Sequence, residues 1–435
     1  MSDVHSETTG YVARSMLPAT EPPTSAVGPS AWIRKNLFSS VGDTIVTLLS
    51  IAFVVLLVWT FAPWFLNGVW NANSLRECRE IMDGAHGACF AVIRARFNQL
   101  MFGFYPTSEL WRPIIALTLF VPAVAPILGD GAIRRFWPLS VVYPIAVYYL
   151  LFGGPIWSIV AFLIGPVIGY LVFLAMRKLA SSPVAALAAA LATLLYWFNV
   201  AGLVANDLTN LFGPVGLEEV ETDRFGGVLL AMVIGVSGIV LSFPLGILLA
   251  LGRQSDLPVV KMLCIAFIEF IRGVPLITLL FVASTLLNYF LPPGISFDLL
   301  LRVVILVTLF AAAYMAEVIR GGLAAIPRGQ YEAAQAMGLP YWDSMRLIIL
   351  PQALKVAVPG IVSTFIGLFK DTTLVSIIGL FDVLGIRVSI ESSPEWKGIF
   401  WELILFAAVF FFICCFAMSR YSMYVERRLD TGHRN

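Results

Sequence analysis

The chain has 435 residues, 59% of them apolar and 13% charged, and its mean hydropathy is +0.88. Soluble globular proteins are about 45–50% apolar and about a quarter charged, so this composition lacks the polar surface to enclose its own core in water, and lipid must be its main solvent. A formal charge of +1, from 28 Lys+Arg against 27 Asp+Glu, argues against a nucleic-acid binder, and five scattered cysteines with three histidines and no CxxC pair argue against a disulfide scaffold or a metal centre.

Residues 1–30 are rich in Ser, Thr, Pro and Gly with no apolar run, and read as a disordered tail rather than a cleaved signal. A hydrocarbon core about 30 Å thick takes about 20 residues of helix. Ten such runs follow, near 43–66, 112–129, 136–153, 156–176, 183–203, 225–251, 262–290, 300–319, 351–370 and 399–419. The fold class is therefore all-α and polytopic. Arg34 and Lys35 precede the first run, and the positive-inside rule places the N-terminus in the cytoplasm. Counting alternately, every inside segment is basic (Arg134 and Arg135, Arg177 and Lys178, Arg253 and Lys261, Arg320 to Arg346, Arg420 to Arg428), and the C-terminus is cytoplasmic too. The outside segments include the acidic stretch Asp207 to Asp223. One outer loop, 67–111, carries Arg76, Arg79, Arg94 and Arg96, with Glu77, Glu80 and Asp83 beside the first two. Cys78 and Cys89 fall in that loop, where an oxidising periplasm would allow a disulfide; two unpaired thiols are the alternative.

The runs between 113 and 203 hold almost no ionisable residue. From 225 onward Gly and Pro enter (Gly235, Gly238, Pro244, Gly246), and charges appear at the edges: Glu269, Arg272, Arg302, Glu317, Lys370, Asp371 and Glu402. Small residues let helices approach closely, and charges in or near lipid need partners. This shift divides the chain into an accessory membrane region, 31–223, and a working core, 224–435. Between the eighth and ninth runs lies a polar segment, 320–351. Glu332 to Met337 favour helix, Gly338 and Pro340 end it, and Tyr341 to Leu350 form a second short helix before Pro351, a hairpin on the cytoplasmic face suited to docking on a partner.

Within that hairpin Glu332-Ala333-Ala334, Gly338, Ile348 and Leu350-Pro351 stand at every specified position of the EAA signature of ABC importer permeases, which the segment resembles. Ala312 to Gly322, Ile326 to Gln330, Gly367 to Val375 and Arg272-Gly273-Val274-Pro275-Leu276 are similar to the polar-amino-acid (HisM-like) branch of that family. The long N-terminal region resembles the long permease subunits of general L-amino-acid (Aap) and glutamate/glutamine/aspartate/asparagine (Bzt) importers.

The resemblance implies a five-helix permease core in the C-terminal half. It also implies a transport subunit of the bacterial inner membrane that is not itself an enzyme and holds no cofactor. ATP and Mg would be bound by a separate ATP-binding subunit, met through Glu332, Ala333, Ala334, Gly338, Leu350 and Pro351. The absence of a GxxxxGK[ST] loop agrees. A second permease subunit, forming a heterodimer, and a periplasmic amino-acid-binding protein complete the implied assembly. An amino acid has a carboxylate and an ammonium. Arg272, Lys370, Asp371, Thr372 and Thr373, with Ser363 and Thr364 nearer the midplane, are the candidates along its path. Glu269 with Arg272, and Glu317 with Arg320, are each three apart on a helix and pair, or else contact substrate or a gate. The rival readings are an ion-driven secondary transporter or channel, which should show intramembrane acid or His relays and inverted repeats, and an assembly subunit whose partner lines the path.

Overall fold

The computed structural model describes residues 28–129, 131–179, 182–286, 289 and 297–429. All but the last three residues of the expected tail, 1–30, lie outside these, and Pro29 and Ser30 already belong to a helix, α1 (Pro29–Leu37). Two units are distinguished, one of residues 1–69 with 80–88, the other of 70–79 with 89–435. The first is built on α2 (Val41–Leu66), capped by Ser40, whose hydroxyl accepts from the Asp43 N–H at 3.1 Å.

The remaining helices are α3 (Leu75–Met82), α4 (Ala91–Ala95), α5 (Phe97–Phe102), α6 (Trp111–Leu128), α7 (Trp137–Phe152), α8 (Ile156–Met176), α9 (Ser182–Asn199), α10 (Ala201–Phe212), α11 (Gly227–Arg253), α12 (Pro258–Gly273), α13 (Leu276–Phe281), α14 (Leu299–Ala324), α15 (Arg328–Ala336), α16 (Tyr341–Ser344), α17 (Leu350–Asp371), α18 (Val383–Glu391) and α19 (Trp401–Leu429). Two-residue strands, Gly154–Pro155 and Gly216–Leu217, pair antiparallel. Among the described residues eight helices are long and apolar enough to cross a bilayer, and two bent pairs bring the total to ten if each is one span.

The bends revise two expected runs. Between α12 and α13 the chain turns by 100°. Pro275 has no N–H to donate and disfavours helix at the residue before it, and Val274 is extended at φ −109°, ψ 131°. Between α9 and α10 the turn is 52° at Val200, and α10 then continues to Phe212, so Asp207 lies in a helix rather than in an acidic loop.

In the larger unit α11 and α14 form the centre. Ala311, Ala312, Ala313 and Ala316 of α14 are buried, and Gly238 and Gly246 of α11 lie against Val307, Met315 and the Ala312 carbonyl, small residues letting the two helices lie close. Leu229, Leu230 and Ile234 of α11 with Val303 and Val307 of α14 head one apolar cluster; Met315, Ile319, Ile349 and Ala353 head another nearer the hairpin. At the opposite end Cys78 and Cys89 are joined in a disulfide, their Cα atoms 5.8 Å apart. The Cys89 N–H donates to the buried Glu402 carboxylate at 2.8 Å, fastening this loop to the start of α19. Arg112, buried at the start of α6, is ion-paired to Glu109 at 2.7 Å and donates to the Glu218 carbonyl at 2.6 Å. Composition gave no sign of that buried cation.

Candidate functional site

The hairpin between α14 and α17 is built from its turn outward. α15 ends in a Schellman arrangement: the Gly338 N–H donates to the Gln335 carbonyl at 2.9 Å and the Leu339 N–H to Ala334 at 3.2 Å, with Gly338 left-handed at φ +72°. Ala334 is buried against the core, while Glu332, Ala333 and Gly338 face outward. The Tyr331 hydroxyl reaches the Leu323 carbonyl at 3.4 Å, and burial pushes its pKa up. Gln352 donates to Gln330 at 3.1 Å, tying the first arm to α17.

The second arm is not a separate helix ending before Pro351, as the sequence suggests. α16 passes through one π turn, Met345–Ile349, directly into α17. A ladder already shifted to i→i+5 tolerates the missing proline N–H, so one helical rod runs from the hairpin into the bundle. Met337, Tyr341, Trp342 and Leu347 are exposed around the hairpin, Met337 by 67% and Leu347 by 64%. Leu350 is half-buried and Pro351 exposed.

The same rod leads to a cavity of about 370 Å³. Ser363, Thr364, Gly367 and Asp371 line it from α17, and Phe310 and Tyr314 from α14. Ser363, Gly367 and Asp371 recur every four positions and so share one face, with Thr364 at its edge. Thr364 donates to the Gly360 carbonyl at 2.9 Å, which keeps its hydroxyl oxygen free to accept. Lys370, Thr372 and Thr373 do not line this cavity. Lys370 is exposed, Thr372 is wholly buried and bonded to the Phe369 carbonyl at 2.8 Å, and Thr373 donates to the Lys370 carbonyl at 2.9 Å.

Arg272 stands next to the cavity at the α12–α13 break, its guanidinium 5.6 Å from the Tyr314 ring centre and 3.6 Å from Glu317. Glu317 is the hub of the charges here, bonded also to Arg320 on its own helix and to Arg253 of α11 at 3.2 Å. The expected Glu317–Arg320 pair is present. The expected Glu269–Arg272 pair is not: Glu269 meets Arg253 at 3.0 Å, because the end of α11 lies beside α12. Three guanidinium groups against two carboxylates leave this cluster cationic, beside a cavity with one carboxylate. Among the described residues no group of three His, Cys, Asp or Glu side chains converges as a metal site.

Residues 242–431 match the family described as "Binding-protein-dependent transport system inner membrane component". Over its whole length the chain is 54% identical to the glutamate/glutamine/aspartate/asparagine transport system permease protein BztC of Rhodobacter capsulatus, covering 98% of this chain and 99% of that one. The chain belongs to the amino-acid ABC transporter permeases. It is also 39% identical to the inner membrane amino-acid ABC transporter permease protein YhdY of Escherichia coli, over 92% of this chain and 93% of that one. The probable glutamine ABC transporter permease protein GlnP of Bacillus subtilis is 32% identical, but over 46% of this chain and 91% of its own length.

In this permease Phe310, Tyr314 and Gly367 escaped the sequence reading, although the signal was there: Phe310 and Tyr314 are four apart, as are Ser363, Gly367 and Asp371. Arg253 carried no such signal, since only the packing of α11 on α12 and α14 brings it to Glu317.

Proposed function

We propose that this permease conducts polar L-amino acids inward across the bacterial inner membrane, powered by ATP hydrolysis on a separate subunit. Both full-length relatives carry amino-acid transport in their names, and the cavity offers a carboxylate, two hydroxyls and a neighbouring guanidinium, the complement of a zwitterion. The observation that carries the reading is the unbroken helix from the hairpin to the cavity wall. The 21 residue steps from Leu350 to Asp371 make about 32 Å of it, continuous through Pro359, so a displacement of the hairpin is carried along one helix toward Ser363, Thr364 and Asp371.

In this reading the N- and C-termini and the hairpin are cytoplasmic, and the disulfide loop is periplasmic. The ATP-binding subunit, which holds ATP and Mg, docks on Glu332, Ala333 and the exposed apolar residues around them, while Ala334, Gly338, Leu350 and Pro351 give the hairpin its shape. A second, unlike permease subunit completes the path, and a periplasmic amino-acid-binding protein delivers to it. Residues 31–223 are accessory and 224–435 form the working core, an arrangement supported by the family match over 242–431 and by shorter relatives that match less than half the chain. Nucleotide drives the cycle only through a difference in affinity for the two states of the hairpin.

Reconstitution of the complex in vesicles tests this. Glu332→Lys is expected to leave the amount of assembled permease unchanged and to lower ATP-driven glutamate uptake at least about tenfold, the scale of losing one charge-assisted interface contact. Uptake at the wild-type rate would overturn the docking assignment. Asp371→Asn is expected to raise the concentration for half-maximal uptake about tenfold, since hydrogen bonds to a charged group contribute about 1.5–3 kcal/mol. An unchanged substrate profile would favour the reading in which the partner alone lines the path.

A further inference from the structure

A crevice of about 410 Å³ runs between α6, α7 and α11, where accessory helices meet the core. Leu117, Phe120, Val124, Val147, Val236 and Val240 are typical of its walls, and no Asp, Glu, Lys, Arg or His lines it. Four polar side chains line it, Ser140, Tyr143, Tyr148 and Ser237, and two of them are engaged within the protein. The Ser140 hydroxyl donates to the Ala123 carbonyl at 2.6 Å and the Tyr143 hydroxyl to Ala116 at 3.0 Å. With no charged side chain in its walls, an amino acid would find no counter-ion for either charge, which makes the crevice a poor transport path. The α11 wall extends from Leu229 to Leu241, twelve residue steps or about 18 Å, a length that suits a single extended hydrocarbon chain. At the hairpin end the last residues lining it are Ile127 and Ser140. The turn that joins these two helices, Gly131–Phe136, carries Arg134 and Arg135, both exposed.

We propose that this crevice holds one acyl chain of an anionic phospholipid from the bilayer, with its phosphate at Arg134 and Arg135. An apolar slot at membrane depth with no charged lining residue, whose two helices are joined by a turn carrying two guanidinium groups, has the chemistry of a lipid with a negative headgroup. On the orientation proposed above, the lipid belongs to the cytoplasmic leaflet. Its chain completes the packing between α6, α7 and the core helix α11.

Native mass spectrometry of the detergent-purified transporter complex, with palmitoyl-oleoyl phosphatidylglycerol or the phosphatidylcholine of the same chains as probe, tests the proposal. The complex is expected to retain one phosphatidylglycerol in preference to phosphatidylcholine. Val236→Trp, which fills the slot, is expected to weaken retention at least about tenfold, and Arg134→Ala and Arg135→Ala to cut the preference about fivefold each. Equal retention by wild type and Val236→Trp, or no preference for the anionic lipid in the wild type, overturns it. A benzophenone amino acid replacing Phe120 in native membranes gives a reading that does not depend on the tryptophan variant folding. An adduct of phospholipid mass supports the proposal; a peptide adduct, or none, overturns it.

Discussion

Asp382 has no exposed surface and caps α18, its Oδ1 accepting from the Gly385 N–H at 2.8 Å while Oδ2 has no hydrogen-bond partner. Burial pushes its carboxyl up to about 6, against the backbone N–H groups that favour the charged form. A carboxyl raised in the fold stabilises below its ordinary pKa, and that contribution is lost as pH rises through about 6. The full swing is roughly 3 kcal/mol, from a shift of about two units. Asn caps as well as Asp does. Asp382→Asn should therefore protect α18 amides better than wild type at pH 7.5 and show none of the wild-type gain between pH 7.5 and 4.5, as read by hydrogen exchange. Matching pH profiles for the two would refute it. At this scale the sequence is readable only along one helix. Ser363, Thr364 and Asp371, named as candidates along the path, do line the cavity, but the three-residue spacing also suggested a Glu269–Arg272 pair, and the actual partners of those two come from α11 and α14. Thr372 went astray for a local reason. One step past Asp371 turns a side chain by about 100°, so Thr372, at the start of the 3-10 turn Thr372–Ile378, faces into the protein and away from the cavity.

Among elements, the α16–α17 rod and the α12–α13 break have opposite characters although the rod contains Pro351 and Pro359 and the break Pro275. Pro275 follows Gly273-Val274 and ends the helix; Pro351 follows a π turn and interrupts nothing. A single sequence shows the proline but not the hydrogen-bond register into which it falls, so the hairpin was legible as a hairpin while its continuity with the cavity wall was not. Gly338 makes the hairpin's turn, and a Cβ there would meet nothing within 4 Å. The cost of replacing it is thus purely conformational, about 1–2 kcal/mol for a left-handed Ala and less for Asn, which tolerates that region. Gly338→Ala should lower ATP-coupled uptake several-fold with normal amounts of permease in the membrane, and Gly338→Asn should restore much of it. A Gly338→Asn variant as impaired as Gly338→Ala would mean that the turn's handedness is not what matters.

For the larger unit as a whole, the long apolar helices were legible because hydropathy reports on lipid contact. What the sequence hid is how distant segments are knitted together at the end opposite the hairpin. Gly103 bridges to Phe225 and Gly227 to Asp382, and the Phe104 N–H donates to the Arg224 carbonyl at 3.1 Å and the Gly227 N–H to Phe381 at 2.7 Å. Three stretches separated by more than a hundred residues thus meet backbone to backbone, which no local pattern encodes. The contact depends on missing side chains. Gly227 sits at φ +60°, and a Cβ on it would run into the Leu100 carbonyl; a Cβ on Gly103 would strike the Gly226 backbone. Rigid backbone on both sides leaves nothing to yield, and the unit's first core helix starts at this point. Gly227→Ala is therefore expected to cost several kcal/mol, combining strain with lost backbone pairing. Gly321→Ala, where a Cβ meets nothing within 4 Å, should cost none and gain up to about 1 kcal/mol of helix propensity. Size-exclusion chromatography of the two variants in detergent, with a heating series, separates these outcomes: Gly227→Ala should aggregate or melt well below wild type while Gly321→Ala matches it. A Gly227→Ala protein as heat-resistant as wild type would show that this junction does not hold the core together.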